Sequence, residues 1–348
     1  MKTWLIEKLG EVLEYEQPTN YLVSSTDYKD EYPIPVLTAG KSFILGNTNE
    51  RSGIFPKEKL PVIIFDDFTT AIKFVDFPFK VKSSAMKILH AKKDKADIRF
   101  LFYKMLTIKF QHEQHKRYWI SECANLKIPL PPLEIQKQIV ERLDKIVEAQ
   151  KLNDGLIQKA DELFQSLLHK ELNPSGKKWI ENKFINCIGK NPLKIKGIPR
   201  EKYQSIGKFP IIDQSDKFIV GYTDNEEKVY KIDYPVIIFG DHTRIFKYVD
   251  FNFAIGADGT QIIIPTPKKF IPKFFYFSML NLKINNLGYS RHFKLLKTKK
   301  LIIPPLQTQK QIVAKLSAVQ EYKKRLVEQK VKLKELFDSA LHKSMSNK

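Results

Sequence analysis

Pro131-Pro132-Leu133-Glu134-Ile135-Gln136-Lys137-Gln138-Ile139-Val140 returns 173 residues later as Pro304-Pro305-Leu306-Gln307-Thr308-Gln309-Lys310-Gln311-Ile312-Val313. Proline is tolerated in the first turn of a helix and not beyond it, so each pair marks a sharp helix start. No proline follows Leu133 until Pro174. Ile139, Ile146, Asn153, Ala160 and Leu167 then recur at seven-residue spacing, flanked by Leu143, Ile157 and Phe164. The second copy repeats the series as Ile312, Val319, Leu326, Leu333 and Ala340, with Leu316, Tyr322, Leu336 and Phe337 beside it. Sustained heptads predict two long helices in coiled-coil packing, with Leu156 and Leu163 on the d positions and the polar Asn153 at an a position.

Outward from the helices, a second block repeats at an offset of 174. Pro61-Val62-Ile63-Ile64-Phe65-Asp66-Asp67-Phe68-Thr69 recurs as Pro235-Val236-Ile237-Ile238-Phe239-Gly240-Asp241-His242-Thr243, and Lys73 to Phe77 align with Lys247 to Phe251. The chain is thus a duplicated unit of globule plus helix. Short apolar runs such as 61–65 and 261–264 predict buried strands, and 97–106 and 271–282 predict helices. The expected fold is α+β, with two tandem α/β-type domains separated by two long helices. The expected boundaries are 1–130 and 174–303 for the globules, and 131–173 and 304–345 for the helices.

Among the 348 residues, 59 Lys+Arg face 39 Asp+Glu, a formal charge of +20. That balance favours a polyanion such as nucleic acid, although only eight of the 59 are arginines and a lysine-rich composition has other origins. No apolar run approaches the roughly 18 residues that cross a bilayer, and residues 1–8 lack a signal peptide's apolar stretch. The expected location is the cytoplasm.

Catalytic constellations are missing from the sequence. There is no glycine-rich phosphate loop, the seven histidines show no metal-ligand spacing, and Cys123 and Cys187 show no pairing pattern. One carboxylate–lysine fragment, Asp66 or Asp76 with Lys80 or Lys82, resembles those of metal-dependent nucleases. The repeat weakens it, because Gly240 and Ala254 stand where Asp66 and Lys80 stand. No catalytic or metal-binding residue is assigned.

Polar loops beside the repeated strands carry the candidate DNA contacts, with Lys and Arg suited to phosphate and Ser, Thr, Gln, His and Arg to base edges. In the first copy they are Thr38, Lys41, Ser42, Thr69, Thr70, Lys73, Lys116, Arg117 and Tyr118. In the second they are Gln214, Ser215, His242, Thr243, Arg244, Lys247, Ser290, Arg291, His292 and Lys294. The frame is shared between copies while the loops differ, as expected of two domains reading two different sequences.

The order globule–helix–globule–helix, the opening Trp4 with Leu9-Gly10-Glu11-Val12, and the junction 128–133 followed by Gln136 and Ile139-Val140 resemble the DNA specificity (S) subunit of type I restriction–modification systems. The stretch 302–306 with Gln309, Ile312 and Val313 repeats the junction, and Gly288 to Lys294 resembles a segment common in the second half of the family's recognition domains. The resemblance implies two target recognition domains, each reading half of a bipartite site on double-stranded DNA. It implies that the helices pack antiparallel as a spacer of about 55–60 Å. It further implies docking of methyltransferase (M) subunits, two in number, with restriction (R) subunits joining the full complex. S-adenosylmethionine, ATP and magnesium then belong to those partners, and this chain is non-catalytic. The spacer and docking positions are Gln136, Ile139, Leu143, Ile146, Asn153, Gln309, Ile312, Leu316, Val319 and Leu326. With Met1 three residues before Trp4, no extra N-terminal tail is expected. The competing readings are a stand-alone site-specific nuclease and an orphan or decoy specificity chain.

Overall fold

The structure, a computed structural model, describes residues 4–38, 43–109, 118–190, 196–256, 258–288 and 290–346. Each proline pair is followed at once by a long helix, Leu133–Glu171 and Leu306–Met345. Pro132 O accepts from Ile135 N and Gln136 N at 2.9 and 3.0 Å, and Pro305 O accepts from Gln309 N at 3.0 Å, so the predicted helix starts are present. The chain divides into two units, each joining a globule to part of both helices: Met1–Asp154 with Glu328–Lys348, and Gly155–Val327.

In the first unit, residues 133–154 run antiparallel to 328–345. Asp154 pairs with Lys330 at 2.9 Å, and Gln150 Nε2 donates to Leu333 O at 3.1 Å. In the second unit, Asp161 pairs with Lys323 at 2.5 Å and Glu171 with Lys315 at 2.8 Å. These ion pairs are largely exposed and contribute at most about 1 kcal/mol each, so they specify register more than stability. Stability comes from the seam. Ile139, Leu143, Ile312 and Leu316 are buried there, each contributing about 1.5–3 kcal/mol on full burial.

The phase of the seam differs from the sequence expectation. The seven-residue series pairs with residues four positions on (Leu143, Phe164, Leu316), whereas Leu156, Leu163, Tyr322 and Leu336, three positions on, are exposed. Asn153, expected at an a position, therefore occupies the d position of the actual heptad, still buried. Both spacings preserve a 3–4 alternation, so the coiled coil stands while its lettering shifts.

In the first globule, a four-stranded antiparallel sheet has the order Leu13–Glu16, Met86–Ala91, Val62–Asp66, Ile72–Val75. Ile34–Leu37, paired with Ile44–Thr48 and Lys80–Val81, forms a smaller mixed sheet. The second globule builds its counterparts around Val236–Gly240, flanked by Phe246–Val249 and Thr260–Ile263, and around Phe253–Ile255, flanked by Phe209–Ile212 and Val229–Tyr230. The runs at 62–66 and 236–240 are buried on both faces, which explains why they read as continuous apolar stretches. Helices Ile98–Leu106 and Pro272–Leu280 cover the sheets built on Val62–Asp66 and Val236–Gly240, close to their expected positions.

Each globule is closed at the helix start by a two-stranded ribbon, Leu5–Lys8 with Lys127–Leu130 and Ile180–Lys183 with Lys300–Ile303. Beside it sits a buried glutamine. Gln136 Oε1 accepts from Asp97 N at 2.8 Å, while its Nε2 donates to Pro131 O and Lys95 O at 2.8 and 3.3 Å. Gln309 repeats this with Ile271 N, Pro304 O and Lys269 O, each at 2.9 Å. Both are fully buried, so these two proposed docking positions face no partner; they latch globule to helix.

Candidate nucleic-acid interface

The central strands Val62–Asp66 and Val236–Gly240 each run into a five-residue turn. Thr70 N donates to Asp66 O at 3.0 Å and Arg244 N to Gly240 O at 2.7 Å. The fifth residue has positive φ in both turns, 57° at Thr70 and 63° at Arg244. For a β-branched threonine that is a strained conformation, of the kind concentrated at functional sites.

The copies hold the same turn by different means. Asp66 Oδ1 accepts from Phe68 N, Thr69 N and Thr69 Oγ1 at 2.6–3.0 Å. At the equivalent Gly240, a Cβ would lie 2.1 Å from Thr243 Oγ1 and 2.9 Å from Gln214, so only glycine fits. There Thr243 Oγ1 donates to Gln214 O at 2.5 Å, and Gln214 bridges neighbouring loops by accepting from His242 N and donating to Asp258 O.

The next residue is aspartate in both copies and buried in both. Asp67 O accepts from Tyr118 N at 3.0 Å, and its Oδ1 accepts from Trp119 N at 2.8 Å. Asp241 O accepts from His292 N at 2.8 Å, and its Oδ1 accepts from Phe293 N at 2.6 Å. The rings follow suit, Phe65 on Trp119 at 5.4 Å and Phe239 on Phe293 at 6.2 Å. Tyr118-Trp119 in one copy and His292-Phe293 in the other are thereby brought to the turn, a juxtaposition that adjacency in sequence did not show.

Several proposed contacts reach solvent here. Thr69, Lys73, Arg291 and Lys294 are exposed, while Thr38, Gln214, Ser215, His242, Thr243, Arg244 and Ser290 are partly so. Lys73 Nζ stands over the Phe43 ring, and Arg244 Nη1 donates to Ile284 O at 3.3 Å. Four others are corrected. Thr70 is buried, its hydroxyl turned to Thr69 O. Tyr118 is fully buried among core residues of the first unit. His292 is fully buried, with Nδ1 at Asp241 O and Nε2 accepting from Leu287 N. Lys247 is buried and donates to Asp213 O and Lys217 O; burial lowers its pKa despite the attraction of Asp213 and Asp216. A base cannot reach these groups without the loops reopening. Lys41, Ser42, Lys116 and Arg117 lie outside the described residues.

Apolar tips had been overlooked. Phe68 is 47% exposed at the first turn, and Phe218 and Ile219 are exposed just beyond Lys217, whose carbonyl accepts from Lys247. Such side chains suit thymine methyl contact or wedging at a base step. An aromatic residue in the middle of the polar turn 66–70 was the available signal.

The nuclease fragment does not assemble as read. Lys80 is buried, donating to Ser52 O at 2.7 Å and pairing with Glu50 at 2.9 Å, while Asp66 closes its own turn. Burial pushes the Cys123 thiol up to about 12 and that of Cys187 upward, which disfavours a thiolate nucleophile. Among the described residues, no group of three or more His, Cys, Asp or Glu is placed to hold a metal ion, and no helix is long and apolar enough to cross a membrane.

The family model for the type I restriction modification DNA specificity domain matches residues 1–162. A type I restriction enzyme specificity subunit of Escherichia coli is 53% identical over 152 residues, 41% of this chain and 37% of that protein. One from Methanocaldococcus jannaschii is 29% identical over 153 residues, 41% of this chain and 33% of its own length. The matched stretch thus spans about a third of these relatives' own length. Among solved structures, the S subunit of a type I restriction–modification system from M. genitalium has TM-score 0.67 at 15% identity, covering 99% of this chain and 96% of that one. A chain from a study of complex assembly and conformational transition of the type I R-M system has TM-score 0.58 at 18% identity, covering 99% and 98%. Such identities speak to the fold, and the fold agrees over nearly the whole length. By sequence across residues 1–162 and by fold over nearly the whole chain, it is similar to the DNA specificity subunits of type I restriction–modification systems.

Proposed function

We propose that the chain is the DNA-reading, non-catalytic subunit of a type I restriction–modification complex. Each globule reads one half of a bipartite site on double-stranded DNA, and the paired helices set the gap between the halves. The observation that carries this reading is the doubled frame: equivalent turns and equivalent aspartate anchors bear different exposed side chains, as two readers of different sequences require. The formal charge of +20 supplies phosphate attraction, which gives affinity without sequence preference. Leu152, Leu156 and Leu163 are exposed on one helix, and Tyr322 and Leu336 on the other. They suit docking of two M subunits, with R subunits completing a cytoplasmic complex. S-adenosylmethionine, ATP and magnesium are assigned to those partner chains.

Methylation-site mapping with the M-bound complex tests the reading. Two short defined sequences separated by a fixed gap are expected. Arg291→Ala and Arg244→Ala should each alter only the half read by the second globule. A base contact relaxes one position by about 1–3 kcal/mol, whereas a phosphate contact weakens all sequences alike. A change confined to the other half, or DNA cleavage by the isolated chain with magnesium alone, overturns the assignment.

A further inference from the structure

Asp241 sits where three ties to one loop converge. Its Oδ1 accepts from Phe293 N at 2.6 Å, and its main-chain oxygen accepts from His292 N at 2.8 Å and lies 2.8 Å from His292 Nδ1. The same ring's Nε2 accepts from Leu287 N at 3.0 Å. A backbone N–H can only donate, so Nε2 carries the lone pair and Nδ1 carries the proton that goes to Asp241. Arg244, three residues beyond Asp241, holds the earlier part of the loop through Ile284 O at 3.3 Å. The loop is therefore pinned at residues 284, 287, 292 and 293, and the exposed Arg291 stands directly before the anchored pair.

The first unit repeats the anchor in a different setting. Asp67 receives Tyr118 N and Trp119 N in the same pattern, although Tyr118 replaces the histidine and the buried Lys87 lies 3.7 Å from the carboxylate. The two anchors have kept the same main-chain partners while their neighbours diverged. A carboxylate needed only to fill a polar corner has no reason to preserve that pattern.

We infer that Asp67 and Asp241 are positioning residues for DNA reading: Asp67 fixes where Tyr118-Trp119 meet the first turn, Asp241 fixes where His292-Phe293 meet the second, and Asp241 with His292 sets the presentation of Arg291. The inference rests on the proposed DNA-reading role and adds which buried groups determine its geometry. It treats His292, singled out in the sequence as a DNA contact, as part of the mount.

The test uses the full chain in complex with its M subunits, comparing methylated sites genome-wide. Asp241→Ala removes the Oδ1 acceptor, whereas Asp241→Asn retains an oxygen there. The alanine variant should relax preference about tenfold at the position relaxed by Arg291→Ala, within one half-site only. It should add nothing on an Arg291→Ala background, and the asparagine variant should restore preference. Asp67→Ala should act on the opposite half-site alone. His292→Asn serves as a second variant if Asp241→Ala fails to assemble: it can replace the Nδ1 donor but not the Nε2 acceptor, and should relax the same position. Uniform weakening across the half-site, or an additive effect with Arg291→Ala, marks Asp241 as merely structural and overturns the inference. A wild-type complex with no bipartite motif defeats the functional reading itself; a bipartite motif unmoved in all three variants defeats this inference alone.

Discussion

Gln309→Met keeps nearly the volume of the buried amide and deletes its three hydrogen bonds, to Ile271 N, Lys269 O and Pro304 O. Only the Pro304 bond is fully buried; the other two partners are close enough to the surface for water to reach them. Orphaning a buried carbonyl costs about 1–3 kcal/mol, and each partly hydrated bond adds about 0.5–1 kcal/mol. The sum is about 3 kcal/mol, or roughly a hundredfold in a local opening equilibrium. Because the chain has two units, a single melting curve does not define one free energy, whereas amide exchange reports each region separately. In Gln309→Met the Ile271 amide should exchange about a hundred times faster, while Asp97, held by Gln136 in the other unit, keeps its protection. Gln136→Met should give the mirror-image result. Unchanged protection at Ile271, or equal loss at Asp97 and Ile271 in either variant, refutes the view that each glutamine is a latch within its own unit.

Lys294→Ala should lower the salt-dependence slope of DNA binding by about one, as loss of a phosphate contact does, while Lys247→Met leaves the slope unchanged because that ammonium is spent on Asp213 O and Lys217 O. Burial raises the Glu16 pKa, but hydrogen bonds from Tyr21, Lys59 and His90 outweigh it and hold the carboxyl below the usual carboxylate range. A depressed acid stabilises the fold above its unfolded pKa and loses that contribution as pH falls through the folded value; Glu16→Gln should therefore flatten the acid-side loss of amide protection in strands 13–16 and 86–91. Thr70→Gly relieves the positive φ at a cost in unfolded-chain entropy, and should stabilise the first unit by about 1 kcal/mol, read as slower amide exchange in strand 62–66, whereas Thr70→Ala should not.

The helices, their starts and the duplicated strands were legible because each rests on local chemistry: a proline pair, a heptad, an apolar run between turns. The phase of the coiled coil was not. A seven-residue series reveals that one face is apolar, but residues three on (Leu156, Leu163) and four on (Leu143, Phe164) are apolar alike. Only the opposing helix selects between them. Loop residues fared worse for the same reason. Lys73 and Lys247 are identical between copies, yet one is exposed and the other is swallowed by the loop carrying Asp213 and Lys217. His292 read as a DNA contact because a polar side chain beside Arg291 looks the same in sequence whether it points out or in.

The repeat carries a sharper signal in the residues its turns share. Shared residues make the frame and differing residues make the proposed reading surface, and Asp67 and Asp241 are shared within turns that belong to that proposed surface. Their structural role follows from what they bind, which is main-chain N–H. Tyr118 and His292, Trp119 and Phe293 can occupy equivalent anchored positions because the main-chain donor is common to every residue except proline, and the His292 ring adds its own ties in the second copy alone. An anchor made to side chains would have tied the segment's sequence to the frame and restricted what it could read. Anchoring through the backbone leaves the residues before it, Arg291 among them, free to change while the point of attachment stays fixed. That separation lets one frame, built twice in a single chain, carry two unrelated loop surfaces, as the proposed reading of two different sequences requires.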